Sequence, residues 1–217
     1  SLTISEGSDA AGNLTVWNVS SGTALTFAGN FDNDVVVDYY QSMSALDVTL
    51  DNVSVNTGDM LHISQNAATI NLTSTGGGVN DLDGLDFGGQ LRTLNISGDT
   101  EINAGQGSAI GFDGDRTATI DASALEADSM LVIMGHTDIK YTGTDQTTGI
   151  DEVTVSGAAD SGETRLSLEA DFGAGSAAVN NLTIDATSAV NGTTTILNSD
   201  TAVTAASGAG VTLTIVG

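Results

Sequence analysis

The feature that most constrains this chain is a series of short segments in which apolar residues alternate with Thr, Ser, Asn or Asp. Such alternation places one face of a strand against a core and leaves the other face in water. Turn-forming Gly, Asn, Asp and Ser separate the segments, at the spacing of about ten residues that is typical of all-β proteins. The predicted strands cover residues 2–5, 14–16, 24–27, 35–37, 46–50, 61–64, 69–73, 94–97, 119–121, 131–133, 153–156, 166–168, 182–185, 195–197 and 211–215.

Helical periodicity is not sustained anywhere in the sequence. The best candidate runs from Ala122 to Met130, one or two turns at most, and we do not predict a helix there. The hydrophobic fraction of 40% separates the chain from acidic, Gly-rich sequences that stay disordered. The sequence therefore predicts a folded, all-β chain.

Internal similarity favours one β architecture over another. Ala-Thr-Ile-Asp-Ala-Ser-Ala-Leu around Ile120 resembles Leu-Thr-Ile-Asp-Ala-Thr-Ser-Ala around Ile184, and shorter copies surround Ile96 and Val155. These centres lie 24, 35 and 29 residues apart. Repeats of this order predict a parallel β-solenoid, or β-helix, with variable loops, and a β-sandwich is the alternative. We expect residues 1–217 to form a single elongated all-β domain.

Charge excludes several classes of partner. The chain has four Lys or Arg and 28 Asp or Glu, a net charge of −24, so phosphate contacts to nucleic acid and docking on an anionic membrane are disfavoured. No apolar run approaches the roughly 20 residues of a membrane-spanning helix. The absence of Cys rules out disulfides and thiol chemistry, and the absence of Pro suits uninterrupted strand ladders.

Residues that support catalysis are sparse. His62 and His136 are isolated residues beside predicted strands, where a surface or turn role is the ordinary one. The G-x-S-x-G, H-E-x-x-H and P-loop motifs are absent. Pairs of carboxylates occur, but 28 acidic residues produce such pairs by chance. We predict that the protein is not an enzyme.

Acidic clusters are the candidate metal ligands. Calcium takes six to eight oxygen ligands, and closely spaced aspartates beside a Gly turn can supply several of them, although the EF-hand pattern is absent. Divalent cations would also relieve the self-repulsion of a chain at −24. We predict calcium as the cofactor, with a solvated acidic loop as the alternative. The predicted ligands are Asp81, Asp83 and Asp86, Asp113 and Asp115, and Asp32, Asp34 and Asp38.

Cations and aromatic residues suggest contacts with partners. Trp17, Tyr39 and Tyr40 are the notable aromatic residues of the first 40, and the Tyr pair beside an acidic loop forms either a glycan platform or an edge or interface anchor. The few cations give ordinary surface ion pairs or contact the acidic surface of a neighbouring subunit. They are Arg92, Arg116, Lys140 and Arg165.

The two ends of the sequence are both strand-like. Residues 2–4 and 211–216 alternate apolar residues with Thr, and no charged residue follows the second segment. Uncapped strands of a solenoid can pair with another chain, and a head-to-tail contact of this kind propagates. We therefore predict a homo-oligomer or polymer that assembles through its terminal strands.

The repeated segments resemble a known class of proteins. The Leu-Thr-Ile-Asp-Ala-Thr-Ser, Ala-Thr-Ile-Asp-Ala-Ser-Ala-Leu and Val-Thr-Val-Ser-Gly segments, with no Cys and almost no Lys, resemble repeats of bacterial surface-layer proteins and RTX-type calcium-binding adhesins. Residues 29–34, Gly-Asn-Phe-Asp-Asn-Asp, resemble a degenerate RTX turn, although the tandem Gly-Gly-x-Gly-x-Asp array is absent. The resemblance implies an extracellular, self-assembling protein whose Gly-rich turns bind calcium.

We therefore expect a secreted structural protein that forms a filament, sheath or surface layer at the cell surface, assisted by calcium. The alternative is an adhesin or carbohydrate-binding module on the cell surface. A glycan-cleaving β-helix is disfavoured because the chain has only four cations for an acidic glycan. An ice-binding solenoid requires a regular array of Thr on one face, and the Thr spacing in the sequence looks irregular.

Overall fold

A computed structural model of the chain describes residues 1–5, 12–64, 67–112, 118–134, 138–142, 150–156, 164–169, 181–186, 192–197, 202–207 and 211–216. Side chains are described as far as residue 133, outside the gaps, and at Tyr141. The described residues contain 18 strands and no helix. Their strand pairings are parallel, which confirms the predicted β-solenoid.

Each predicted strand lies within an observed one, except that 24–27 begins one residue before β3, and two of them (46–50 and 61–64) are parts of one long strand, β5. The strands β7, β9, β12 and β17 were not predicted. The strands are β1 (Leu2–Ser5), β2 (Leu14–Val19), β3 (Leu25–Phe31), β4 (Val35–Tyr39), β5 (Ala45–Ser64), β6 (Thr69–Thr75), β7 (Asn80–Asp86), β8 (Thr93–Gly98), β9 (Ile102–Ser108), β10 (Ala118–Leu125), β11 (Ser129–Met134), β12 (Asp138–Thr142), β13 (Ile150–Ser156), β14 (Thr164–Glu169), β15 (Asn181–Ala186), β16 (Gly192–Leu197), β17 (Ala202–Ser207) and β18 (Val211–Val216).

Between residues 2 and 108, three ladders of paired residues run along the solenoid, so that each turn there has three sides. Beyond residue 108 the described strands form two ladders, which continue the first and second sides. The first side stacks Leu2, Leu25, Val48, Leu72 and Ile96, at steps of 23, 23, 24 and 24 residues. The second side stacks Phe31, Val55, Leu82, Ala104 and Leu131, at steps of 24, 27, 22 and 27. The third side stacks Leu14, Val35, Leu61 and Leu85, at steps of 21, 26 and 24. The solenoid has about five such turns.

The core fills the inside of these three sides. In β6, Ile70, Leu72 and Ser74 are buried while the Thr and Asn residues between them are half-buried on the outer surface, which is the alternation that the sequence displays. The inward side chains form one hydrophobic cluster. Full burial of a Leu or Ile stabilises a fold by about 1.5–3 kcal/mol, so repetition along the ladders supplies most of the driving force.

The internal similarity predicted from the sequence does not mark equivalent positions. Ile120 belongs to β10, which pairs with β8 and β12. Ile184 belongs to β15, which pairs with β13 and β17 in the other series of strands. Over all the described ladders, paired residues lie 19 to 31 residues apart, and none of these steps is the expected 35 or 29.

The first corner, which joins the first and second sides, contains a left-handed residue in each of four successive turns. These residues are Gly29, Asn52, Gly76 and Gly98, with φ of 92°, 53°, 110° and 119°. A Cβ atom at Gly98 would collide with the carbonyl oxygen of Ser74, so the neighbouring turn approaches too closely for any other residue. The second corner, which joins the second and third sides, consists of residues 32–34, 56–59, 83–84 and 105–107.

Candidate functional site

The structure brings three of the predicted calcium ligands to the second corner. Asp32 and Asp34 lie in one turn and Asp83 lies two turns further along the solenoid, with residues 56–59 between them. Sequence reasoning placed Asp32 and Asp83 in separate clusters, 51 residues apart. The second corner is therefore the candidate site.

Hydrogen bonds explain why aspartate is used at this corner. The Asp34 carboxylate accepts from the backbone N–H of Met60 at 3.0 Å and from the Asn13 amide at 2.9 Å. Asp32 accepts from the Asn56 amide at 2.7 Å. Each contact joins one turn to the next, so these carboxylates fasten the stack.

Asp83 also joins two turns, but it accepts a hydrogen bond from the preceding turn, whereas Asp32 and the Met60 contact of Asp34 involve the following turn. The Asp83 carboxylate accepts from the backbone N–H of Gly58 at 2.7 Å. A Cβ atom at Gly107 would collide with that carboxylate, so a glycine on the following turn makes room for it. Asp83 is thus held between the turns on either side.

The remaining predicted ligands are dispersed. Asp81 is exposed on the second side, and Asp38 is half-buried on β4. Asp86 lies on the third side, where its carboxylate is 2.7 Å from Nδ1 of His62 and also accepts from the N–H of Gly88. Residues 81–86, in which three aspartates were expected around a Gly turn, lie in β7, which turns the second corner at residues 83–84. Asp113 and Asp115 lie outside the described residues.

The described acids do not form a chelating group. Among the described residues, no three His, Asp or Glu side chains gather closely enough to hold a metal ion. Both carboxylate oxygens of Asp34 already accept hydrogen bonds, which leaves few of the six to eight oxygens that calcium requires. The fit to a resident calcium ion is therefore poor in this part of the chain, and calcium stays a prediction.

A small cavity opens beside the second corner at the N-terminal turn. Its volume is about 130 Å³, and its lining combines Leu14, Phe31 and Val35 with Asp32 and Asp34. Sites for small organic ligands are usually about 300–1,000 Å³, so this cavity has room for a few waters rather than for a substrate.

The first side carries a ladder of polar side chains on its outer surface. The Asn71 amide donates to Asp47 at 2.8 Å, and the Asn95 amide donates to Asn71 at 2.9 Å. Beside this ladder, one column stacks four threonines and a serine in register. They are Thr3, Thr26, Thr49, Thr73 and Ser97.

The threonine column corrects one expectation from the sequence. Its residues recur at steps of 23, 23, 24 and 24, so the spacing is regular on this side and does not itself exclude an ice-binding face. The exposed carboxylates of Asp47 and Asp51 on the same surface are the remaining argument against one, because ionised carboxylates are strongly hydrated.

The predicted Tyr pair is divided by the fold. Tyr39 is in the core, and its hydroxyl donates to the carbonyl of Thr23 at 2.6 Å. Burial raises the pKa of Tyr39 to about 12. Trp17 and Tyr40 are exposed by 67% and 58%. Tyr39 is thus no part of a surface platform, whereas the other two remain available.

The histidines and cations add little to the site. His136 and Arg116 lie outside the described residues, and the structure does not describe the side chains of Lys140 and Arg165. Arg92 is half-buried at the start of β8, and its backbone N–H donates to the carbonyl of Ala68.

Sequence reasoning missed the buried polar residue of the first corner. Asn80 accepts from the N–H of Val53 at 2.7 Å and donates to the hydroxyl of Ser74 at 2.7 Å. The sequence indicates this residue only by its position: Asn80 lies two residues before the buried Leu82, so the alternation of β7 directs both side chains to the core. Such a residue satisfies backbone groups that a corner leaves without strand partners.

Comparison with known protein families, with characterised proteins and with solved structures found no match to this chain. The resemblance to surface-layer and RTX-type proteins is therefore supported only at the level of a β-solenoid fold. Within the described residues, no helix is long and apolar enough to cross a membrane.

Proposed function

We propose that this chain is a secreted structural protein of the cell surface, which assembles into a filament, sheath or layer by pairing its terminal strands with those of further copies. The observation that carries the proposal is the pairing of the outermost strands. Among the described strands, β1 pairs only with β3 and β2 only with β4, while β17 pairs only with β15 and β18 only with β16. In the part of the chain that the structure describes, one backbone edge of each of these strands has no strand partner, and an edge of this kind can pair with another chain.

The direction of the backbone groups supports pairing at β1 and β2. The N–H of Leu2 donates to Ala24, and the N–H of Leu14 donates to Asp34. Because alternate residues of a parallel strand direct their N–H groups to opposite edges, the N–H groups of Thr3 and Thr15 point to the open edge. A parallel strand of a second copy would find donors in the right places.

Charge supports the same strands as the contact. Two copies at −24 repel each other, and β1, β2, β17 and β18 contain no charged residue. A contact through these strands buries no carboxylate, whereas other surfaces of the chain would bury several without a cation to pair with them. Calcium would assist by screening the repulsion between copies.

A proline substitution tests the contact. Thr3→Pro removes one donor of the open edge without removing a hydrogen bond to β3, and Thr3→Val is the matched control that keeps the N–H. We expect Thr3→Pro and removal of residues 211–217 to abolish ordered assemblies in negative-stain electron microscopy, while Thr3→Val assembles. Circular dichroism would verify that each variant is folded. Ordered assembly by both edge variants would contradict the proposal.

The same assay tests the role of calcium. We expect ordered assemblies in millimolar calcium and fewer or none in chelator. Assemblies that are equal in both solutions would remove calcium from the proposal and leave the strand contact. Monomers in both solutions would contradict self-assembly itself.

A further inference from the structure

Among the large hydrophobic side chains that the structure describes as exposed, Trp17 on β2 has the highest exposure. In the ladder between β2 and β4, Val16 pairs with Val37 and Val19 with Tyr39, so that Trp17 and Asn18 together oppose Asp38. This extra residue is a β-bulge, and Asn18 takes the left-handed conformation, with φ of 58°. β-Bulges redirect side chains and are common at sheet edges and beside functional sites. The outcome here is a Trp that is 67% exposed.

Tyr40 extends the same outer surface. It follows Tyr39, whose burial and hydrogen bond to Thr23 fix the end of β4, and its own ring is 58% exposed. Trp17 and Asn18 lie opposite Asp38 in the ladder, and Tyr40 follows Asp38 by two residues directly after β4, so Trp17, Asp38 and Tyr40 lie near one another on the same turns. We name Trp17, Asp38 and Tyr40 the aromatic patch.

The chemistry of this patch matches a sugar. The C–H face of a pyranose ring stacks on an exposed aromatic ring, and its hydroxyls donate hydrogen bonds to a carboxylate, whose oxygens only accept. The net charge of −24 repels uronic acids, sulfated sugars and other anionic glycans. We propose that the aromatic patch binds a neutral polysaccharide, an activity that goes beyond assembly and does not require it.

The Asp38 carboxylate favours a sugar over a second copy of the chain as the ligand of the aromatic patch. A protein contact over the patch would bury Asp38, and a buried carboxylate needs a cation, of which the whole chain has four against 28 acidic residues. The patch also faces outward from the third side, whereas the proposed contact between copies uses strand edges. Sugar hydroxyls satisfy the carboxylate without a cation.

Binding to defined oligosaccharides tests the proposal. The probes are cellohexaose, maltohexaose and the hexamer of N-acetylglucosamine, with an oligomer of guluronate as the anionic comparison, measured by calorimetry on the full chain. We expect at least one neutral hexamer to bind and Trp17→Ala to weaken it at least tenfold. Tyr40→Ala should weaken it severalfold. Trp17→Phe, which keeps a stacking surface, should retain most of the affinity.

Val79→Ala is the matched control, because Val79 is 44% exposed and precedes β7, away from the patch. Binding of no neutral hexamer, binding of the anionic oligomer alone, or equal affinity of Trp17→Ala and Val79→Ala would overturn the proposal. Sedimentation of Trp17→Ala separates the two proposals. Loss of assembly without sugar would assign Trp17 to the contact between copies and overturn glycan binding, whereas unchanged assembly with lost sugar binding supports it.

Discussion

The first side and the second corner hold neighbouring turns together in different ways. On the first side from β1 to β8, the steps between turns are constant to within one residue, and like residues stack on each other, as in the ladder of Asp47, Asn71 and Asn95. At the second corner, the length changes from turn to turn. Four residues (56–59) lie between Val55 and Met60, whereas the next turn has one residue, Asp83, between Leu82 and Gly84.

The difference shows how a solenoid accommodates turns of unequal length. Residues 56–59 lie outside the register of the ladder, and aspartates of the adjacent turns accept hydrogen bonds from the backbone within and directly after this segment. Asp34 binds the N–H of Met60, and Asp83 binds that of Gly58. The first side from β1 to β8 therefore carries the regular stacking. At the second corner, where the number of residues varies between turns, aspartate side chains accept hydrogen bonds from backbone N–H groups.

The largest effect should come from the core of the regular side. Leu72→Ala removes a fully buried side chain from the middle of the first ladder, and we expect the free energy of unfolding to fall by about 2–5 kcal/mol. Urea denaturation followed by circular dichroism measures it. Val79→Ala, at an exposed position, should change little. Equal losses in the two variants would show that Leu72 is not in the core.

A pH titration of stability tests the burial of the Tyr39 hydroxyl on the third side. Because burial raises the pKa of Tyr39 to about 12, the contribution of its neutral form is fully present below pH 10, the usual pKa of Tyr, and is lost as pH rises from 10 through 12. We expect stability to fall by about 2 kcal/mol at pH 12 through this group. Tyr39→Phe should remove that part of the decline, and an unchanged decline in Tyr39→Phe would contradict the assignment.

The first corner is tested at its closest approach. Gly98→Ala adds a Cβ atom against the Ser74 carbonyl at a φ of 119°, and we expect it to destabilise the protein by at least about 1–3 kcal/mol. Gly89→Ala is the control, because no atom lies within 4 Å of its added Cβ. Thermal melting of both variants measures the difference. A Gly98→Ala variant as stable as Gly89→Ala would mean that the turns are further apart.

The second corner should respond to the loss of one acceptor. Asp34→Ala removes the partners of the Met60 N–H and the Asn13 amide, and we expect a loss of about 1–2 kcal/mol because charge-assisted hydrogen bonds are the stronger ones. Asp81→Ala removes the same charge from an exposed position and should be nearly neutral. If the two variants lose equal stability in urea, the Asp34 carboxylate does not fasten the turns.

The smallest effect should come from the amide ladder. Asn71→Ala removes two exposed or half-exposed side-chain hydrogen bonds, and we expect a loss of about 0.5–1.5 kcal/mol. Asn71→Asp tests whether the side chain of residue 71 lies beside Asp47, because it replaces the donating amide with a second carboxylate. Salt screens the repulsion between the two carboxylates, so we expect the variant to lose more stability at low salt than at high salt. An insensitivity to salt would contradict the stacked geometry.

Much of the fold was predictable from the sequence because each strand carries its own alternation. Leu46 to Leu50 and Thr69 to Thr73 alternate without interruption, and both lie in observed strands. The strand β7 was missed because its aspartates and Gly84 have the composition of a turn, and they do turn a corner, within an extended strand. Local composition does not distinguish a loop from the corner of a solenoid.

The candidate site was less predictable because its contacts depend on register. Asp34 and Met60 are 26 residues apart, and nothing in the sequence states which residue of the next turn each carboxylate meets. Asp32 and Asp34 were identified as notable, but as metal ligands rather than as acceptors for the adjacent turn. Tyr39 and Tyr40 are adjacent in sequence, yet the alternation of the strand sends one to the core and one to the surface.

The central claim is that successive turns stack in register on the first side, and a pair of cysteines tests it most directly. The chain has no Cys, and Thr49 pairs with Thr73 in the ladder between β5 and β6. Neighbouring strands about 4.8 Å apart lie within the range for a disulfide. We predict that the Thr49→Cys, Thr73→Cys double variant loses both free thiols on mild oxidation while remaining monomeric in denaturant. The comparison is a Thr49→Cys, His62→Cys double variant, whose two positions lie on different sides. The account would be contradicted if the Thr49→Cys, Thr73→Cys variant kept both thiols while this comparison variant formed a disulfide.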